Sequence, residues 1–101
     1  MKRHYSDYVR HCLRQYVSTI EVGTSPKFKN AVEKADWFAC NAVAVNLDPQ
    51  ELALVIELYG PGDTIPDKIY HISKSRRIPQ SYLWTMVDDL EYKVAKNRGL
   101  K

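Results

Sequence analysis

The sequence predicts an all-α protein, a small bundle of about five helices with a C-terminal helix-turn-helix. Three observations carry that prediction. Apolar residues return at three- and four-residue intervals in successive stretches of the chain. Helix-start signatures stand ahead of those stretches at Ser25-Pro26, Asp48-Pro49 and Thr64, and Gly60-Pro61-Gly62-Asp63 is a strong stop. The single alternating stretch, Ala42 to Leu47, has no evident strand partner and is read as the end of a helix.

The first helix is expected from about Ser6 to Ser18. Tyr5, Val9, Cys12, Leu13, Tyr16, Val17 and Ile20 form its apolar side, and Arg3, Asp7, Arg10 and Arg14 form a mainly basic row on the other. Gly23, Thr24 and Ser25 read as a loop. Ser25 as N-cap and Pro26 in the first turn then start a second helix, with Phe28, Val32, Ala35, Phe38, Ala39, Ala42 and Val43 inward and Trp37 and Cys40 widening the stripe. So many apolar positions predict that most of it is buried.

A third helix begins at Asp48-Pro49-Gln50-Glu51, where the Asp caps the helix and the Glu reaches back to the cap. Leu52, Val55, Ile56 and Tyr59 are its expected core face, with Leu54 and Leu58 making it apolar nearly all round. Thr64 caps a short fourth helix that turns Ile69 and Ile72 inward. The chain then turns near Arg77 and Ile78, because a residue before proline is pushed out of helical angles. A fifth helix runs from Pro79 to a stop at Gly99 on a seam of Leu83, Val87, Leu90 and Val94.

Composition bounds the function. The 101 residues carry 15 Lys and Arg against 12 Asp and Glu, a net +3, with 45% hydrophobic residues. A chain of this size buries about 65% of its unfolded surface, enough for one core. One domain is expected over 1–101, with 1–46 as a packing or dimerisation layer and 47–101 as the helix-turn-helix portion. Residues 1–30 hold six basic and two acidic side chains, 31–59 one and five, and 60–101 eight and five. The ends are basic and the middle acidic.

Chemistry finds little footing in these residues. Cys12 and Cys40 are isolated, so they read as free core thiols rather than a disulfide or zinc ligands. His4, His11 and His71 are scattered, and Gly60-Pro61-Gly62 lacks the Lys and Ser or Thr of a phosphate loop. The expectation is a non-enzymatic protein without cofactor or metal. No run is long and apolar enough to span a bilayer, which gives a cytoplasmic protein without a membrane partner as the default.

The stretch from Thr64 to Gly99 has the outline of a helix-turn-helix, with Ile78 plugging the turn. Such a unit presents its second helix N-terminal end first to the major groove. Gln80, Ser81, Tyr82, Trp84 and Thr85 are then the groove candidates, and Lys74, Arg76 and Arg77 the phosphate candidates. Arg10 and Arg14 would extend that phosphate surface if the first helix packs beside the unit. They read equally as a solvated face or as partners of the acidic segment of a second copy. Asp88, Asp89 and Glu91 oppose DNA unless they point away or pair with Lys93 and Arg98. The rival function is a helical adaptor that holds a protein partner through Trp37, Phe38, Tyr82 or Trp84.

From Leu47 to Leu100, the segments Leu-Asp-Pro-Gln-Glu-Leu, Leu-Tyr-Gly-Pro-Gly-Asp-Thr, Ile-Tyr-His-Ile, Trp-Thr-Met-Val-Asp-Asp-Leu-Glu and Ala-Lys-Asn-Arg-Gly-Leu carry a family likeness. This part of the chain resembles a sigma-factor region-4-type helix-turn-helix. More narrowly, it is similar to small transcriptional regulators carried by phages and mobile elements of Gram-positive bacteria. The resemblance implies promoter DNA as a partner, with RNA polymerase and a second copy of the chain as further candidates.

Overall fold

The computed structural model describes residues 5–22 and 27–100, with only the backbone of residues 21 and 22. Five α-helices make up the described residues, with no strand among them: α1 (Ser6–Val22), α2 (Ala31–Ala44), α3 (Pro49–Tyr59), α4 (Ile65–Arg76) and α5 (Gln80–Asn97). The all-α expectation holds. Arg3 and the Ser25-Pro26 start signal lie outside the described residues.

Local chemistry fixes the helix ends. Asp48 accepts a hydrogen bond from the Glu51 N–H at 2.8 Å while Glu51 accepts one from the Asp48 N–H at 3.2 Å, so the expected capping box is complete. Thr64 caps α4 through the Asp67 N–H. At the far end of α3, Lys68 donates to the carbonyls of Gly60 and Pro61, which satisfies groups that the helix leaves unpaired. α5 ends in a Schellman motif: Leu100 N–H donates to Ala95 O at 2.8 Å and Gly99 N–H to Lys96 O at 3.1 Å. Gly99 takes φ 75, which glycine adopts without a steric penalty.

Two boundaries differ from the sequence reading. α1 runs on to Val22, past the expected end at Ser18. Residues 27–30 are not helical, and α2 starts at Ala31 instead. The reason is a second reciprocal cap: Asn30 Oδ1 accepts from the Glu33 N–H at 2.9 Å, and Glu33 Oε1 from the Lys29 N–H at 3.0 Å. Phe28 therefore precedes the helix and folds back over it, its ring 6.1 Å from that of Trp37 and 6.2 Å from that of Phe38.

α1 lies at the centre rather than in a separate layer, packing on α2, α3 and α5, while α4 bridges α3 and α5. Val9, Leu13 and Val17 of α1 meet Leu58 and Tyr59 of α3 and Leu83, Val87 and Val94 of α5 in one continuous core. Each such aliphatic side chain contributes about 1.5–3 kcal/mol by leaving water. Leu54 and Leu58 are more deeply buried than Leu52 and Ile56, so the core face of α3 is rotated from the one expected. Cys12 and Cys40 are free and buried, as expected of core thiols.

Polar ties cross this core. Glu91, 2% exposed, accepts from Arg10 Nε at 2.7 Å and from the Tyr59 hydroxyl at 2.9 Å. Asp36 accepts from the Tyr8 hydroxyl at 2.7 Å and from Arg98 Nε at 2.6 Å. These bonds pin α1 and α2 to α5. They leave both buried carboxylates paired, as burial of a charge requires.

Candidate nucleic-acid interface

The sequence of the α4–α5 junction builds a tight turn. Arg77, the C-cap of α4, adopts the left-handed conformation with φ 54 and ψ 41. The chain is reversed in three residues, and the Ser73 hydroxyl donates to Ile78 O at 2.6 Å to hold the reversal. Ile78 packs on the core as a plug, and Ile69 and Ile72 of α4 join Leu83 and Val87 of α5 beneath it. Ile69, Ile72, Leu83 and Val87 thus share one core cluster, with Ile78 packed against it.

Pro79 occupies the N-cap position of α5 with extended angles and no side-chain cap bond, so the helix proper starts at Gln80. A proline there supplies no side-chain acceptor, and the first N–H groups and the positive end of the dipole stay available beside exposed Gln80 and Ser81. Lys74, Arg76 and Arg77 are exposed just ahead of them. Three exposed cations thus precede the uncapped start of α5 by three to six residues, an arrangement suited to phosphate oxygens.

Two of those cations have surface partners. Arg76 forms an ion pair with Glu57 at 2.5 Å, with both side chains more than 40% exposed (46% and 42%). Exposed pairs of this kind are worth about 0–1 kcal/mol, so the guanidinium is cheaply redirected. Lys74 Nζ lies 2.9 Å from the Tyr70 hydroxyl and 5.0 Å from its ring centroid. Tyr70 and His71 stand ring against ring on the same exposed side of α4. The sequence analysis gives Tyr70 no role, although the four-residue step from Tyr70 to Lys74 signals their adjacency on a helix.

Along α5 the expected groove residues separate. Ser81 and Thr85 are exposed at a four-residue interval, in a row that continues to Asp88 and Tyr92. Trp84 is half-buried and packs against the core, which places it on the flank of the reading surface. Tyr82, half exposed, turns toward α3 and lines a groove of about 460 Å³ with Asp48, Gln50, Leu54, Arg77, Ile78 and Pro79. Gln80, Ser81 and Thr85 remain as exposed polar residues in the first two turns of α5.

The acidic residues of α5 fall in different places. Asp89 pairs with Lys93 at 2.9 Å, as expected. Arg98 pairs with Asp36 instead of a carboxylate of α5. Glu91 points into the core and so does not face a groove-bound ligand at all.

Arg10 and Arg14 do not extend the cationic end of α5. Arg10 is turned inward on Glu91; burial works against its charge, but the hydrogen bond and the nearby carboxylate hold its pKa above the ordinary value. Arg14 lines a cavity of about 460 Å³ with Lys27, Lys29, Glu33 and Trp37, and that cavity has no lining residue from α4 or α5. Among the described residues no group of His, Cys, Asp and Glu is placed to hold a metal, and no helix is long and apolar enough to cross a membrane. No family model, curated protein or solved structure matches the chain.

Proposed function

We propose that the chain is a DNA-binding transcriptional regulator that places the N-terminal turns of α5 in the major groove. The observation that carries this reading is an uncapped helix start with exposed Gln80 and Ser81, preceded within a few residues by exposed Lys74, Arg76 and Arg77. Phosphates meet the cations and N–H groups, which sets register. Gln80, Ser81 and Thr85 then face base edges, where Gln pairs best with adenine. Tyr70 and His71 lie where an adjoining sugar and phosphate would run. The work is binding in the cytoplasm, without catalysis or cofactor, and the resemblance to sigma-type modules makes promoter DNA the target and RNA polymerase a neighbour.

The test is binding to a labelled pool of random duplex DNA across a salt series, with wild type beside an Arg76→Ala, Arg77→Ala protein whose helix content is checked. The variant is expected to bind more weakly and to show a logarithmic salt slope reduced by about two units, one per lost phosphate contact. Equal slopes for the two proteins would sink the proposal. The adaptor reading draws on Phe38, which is 50% exposed beside Trp37 and Phe28. A protein that binds no DNA at low salt turns the search toward protein partners.

A further inference from the structure

α2 carries apolar residues on two sides, and the fold covers one of them. Ala39, Cys40, Val43 and Ala44 face the core. On the other side Ala31, Ala35, Phe38, Ala42 and Val45 follow each other at intervals of 4, 3, 4 and 3 residues. Ala31, Phe38, Ala42 and Val45 are exposed, Val45 to 69% and Phe38 to 50%. Lys34, exposed three residues after Ala31 and four before Phe38, stands at the edge of this row.

That spacing selects the occupant. Alternating steps of three and four residues form the seam by which one helix receives another. Alanine at three of the five positions lets two backbones approach closely, with Phe38 as the single large knob. A membrane surface would reward bulky side chains instead, because alanine buries little area in lipid.

Charge at the two ends of the seam selects orientation. Lys27, Lys29 and Lys34 are exposed around the start of α2, where Glu33 is drawn into the Lys29 cap. Its end runs into Asp48 and Glu51, and Lys93 nearby is engaged by Asp89. A parallel pair would set like charges together. An antiparallel pair about a two-fold axis at Phe38 sets Ala31 opposite Val45, brings Ala35 within one residue of level with Ala42, and sets the basic end of each helix beside the acidic end of the other. The helix dipoles also oppose favourably.

We infer that this face of α2 is a self-association surface, on which a second copy of the chain docks α2 against α2 in antiparallel, two-fold symmetry. An isologous contact of this kind closes after two copies. The seam runs over roughly 21 Å, four helical turns, so the contact lies at the small end of stable interfaces and the dimer dissociates at low concentration. The inference stands independently of the DNA reading, since α2 contributes nothing to the cationic end of α5.

Sedimentation equilibrium of the full chain at micromolar and near-millimolar concentration tests it. Wild type is expected to move from one 11.7 kDa chain to two. Phe38→Glu and, separately, Ala42→Glu should weaken association by at least about thirtyfold, the loss typical of a central interface residue. Both positions are exposed, so the helical circular dichroism spectrum should stay unchanged. Orientation is read by oxidation: an equimolar mixture of Ala31→Cys and Val45→Cys proteins should form the mixed disulfide, while each alone cross-links poorly. The native thiols are buried and stay out of the reaction. A wild type that remains monomeric, a dimer indifferent to both Glu variants, preferential cross-linking of each Cys variant to itself, or binding of the monomer to neutral lipid vesicles through Phe38 would each overturn it.

Discussion

Glu91 Oε2 of α5 lies 2.7 Å from Arg10 Nε of α1, and the carboxylate is almost wholly buried while the guanidinium keeps 25% of its surface. The two partners are therefore unequal. Removing Arg10 strands a buried negative charge that retains only the Tyr59 hydroxyl, whereas removing Glu91 leaves a cation with a route to water. Arg10→Ala is expected to destabilise the fold by about 3–5 kcal/mol and Glu91→Ala by less, read as shifts in urea midpoint. The double replacement by leucine should recover much of the Arg10→Ala loss, because it leaves no buried charge. An Arg10→Ala protein as stable as wild type would restore Arg10 to the list of surface cations.

Alkaline pH should loosen the same region. Burial, then the charge and hydrogen bond of Glu91, hold the Tyr59 hydroxyl well above its ordinary 10.0. Burial, then Asp36, push the Cys12 thiol from 9.0 to about 11. Both groups give up their protons more readily in the unfolded chain, so the unfolded state binds fewer protons in this range and stability falls as pH rises. Their contribution is fully present below about pH 9 and is lost through pH 11 and beyond. Urea midpoints at pH 7, 9 and 10.5 should be flat over the first step and fall over the second. Tyr59→Phe should lower the midpoint at pH 7 and flatten the alkaline decline.

What the sequence discloses is what depends on near neighbours. The Asp48–Glu51 capping box, the Thr64 cap, the turn before Pro79 and the Leu83–Val94 seam each span a few residues, and each is found where the pattern places it. The start of α2 differs from the expected one because Asn30 and Glu33 close a reciprocal cap just ahead of Ala31. The partners of Glu91 and Asp36 escaped because they come from afar: Arg10 is 81 residues from Glu91, and Arg98 is 62 from Asp36. An arginine on the polar side of a helical wheel looks solvated until the fold supplies a carboxylate. The reverse holds for α2, whose apolar pattern predicts that most of it is buried while Val32, Phe38, Ala42 and Val45 stand exposed.

Arg77 carries a conformational cost that bears on function. At φ 54 a side chain with a Cβ is strained by roughly 1–2 kcal/mol relative to right-handed helix, and glycine is the usual residue for a helix end of this shape. Arg77→Gly is therefore expected to leave stability unchanged or raise it by up to about 1 kcal/mol, part of the relief being offset by the greater freedom of glycine in the unfolded chain. DNA affinity should fall at the same time, with the salt slope reduced by about one unit. Paired thermal melts and salt titrations check both halves. A stabilised protein with undiminished binding would remove Arg77 from the phosphate surface.

On the proposed DNA-binding reading, Asp88 limits how far along α5 a duplex can be contacted. It is exposed in the row of Ser81 and Thr85, about 10 Å beyond Ser81 along the helix axis. A carboxylate at that depth repels the phosphates flanking the groove, so useful contacts are confined to the first two turns. Repulsion of this kind also penalises every sequence alike, which makes weak binding depend on good contacts by Gln80, Ser81 and Thr85. Asp88→Asn keeps the size and removes the charge. It is expected to tighten binding to random duplex by on the order of three- to tenfold at low salt, with the gain shrinking as salt screens the interaction. The gain should be of similar size for the preferred site, so the ratio of specific to random binding is unchanged. Titrations of the two proteins against selected and random duplexes at two salt concentrations measure that ratio directly. An unchanged affinity for both duplexes would mean that the row of Ser81, Thr85 and Asp88 does not face DNA.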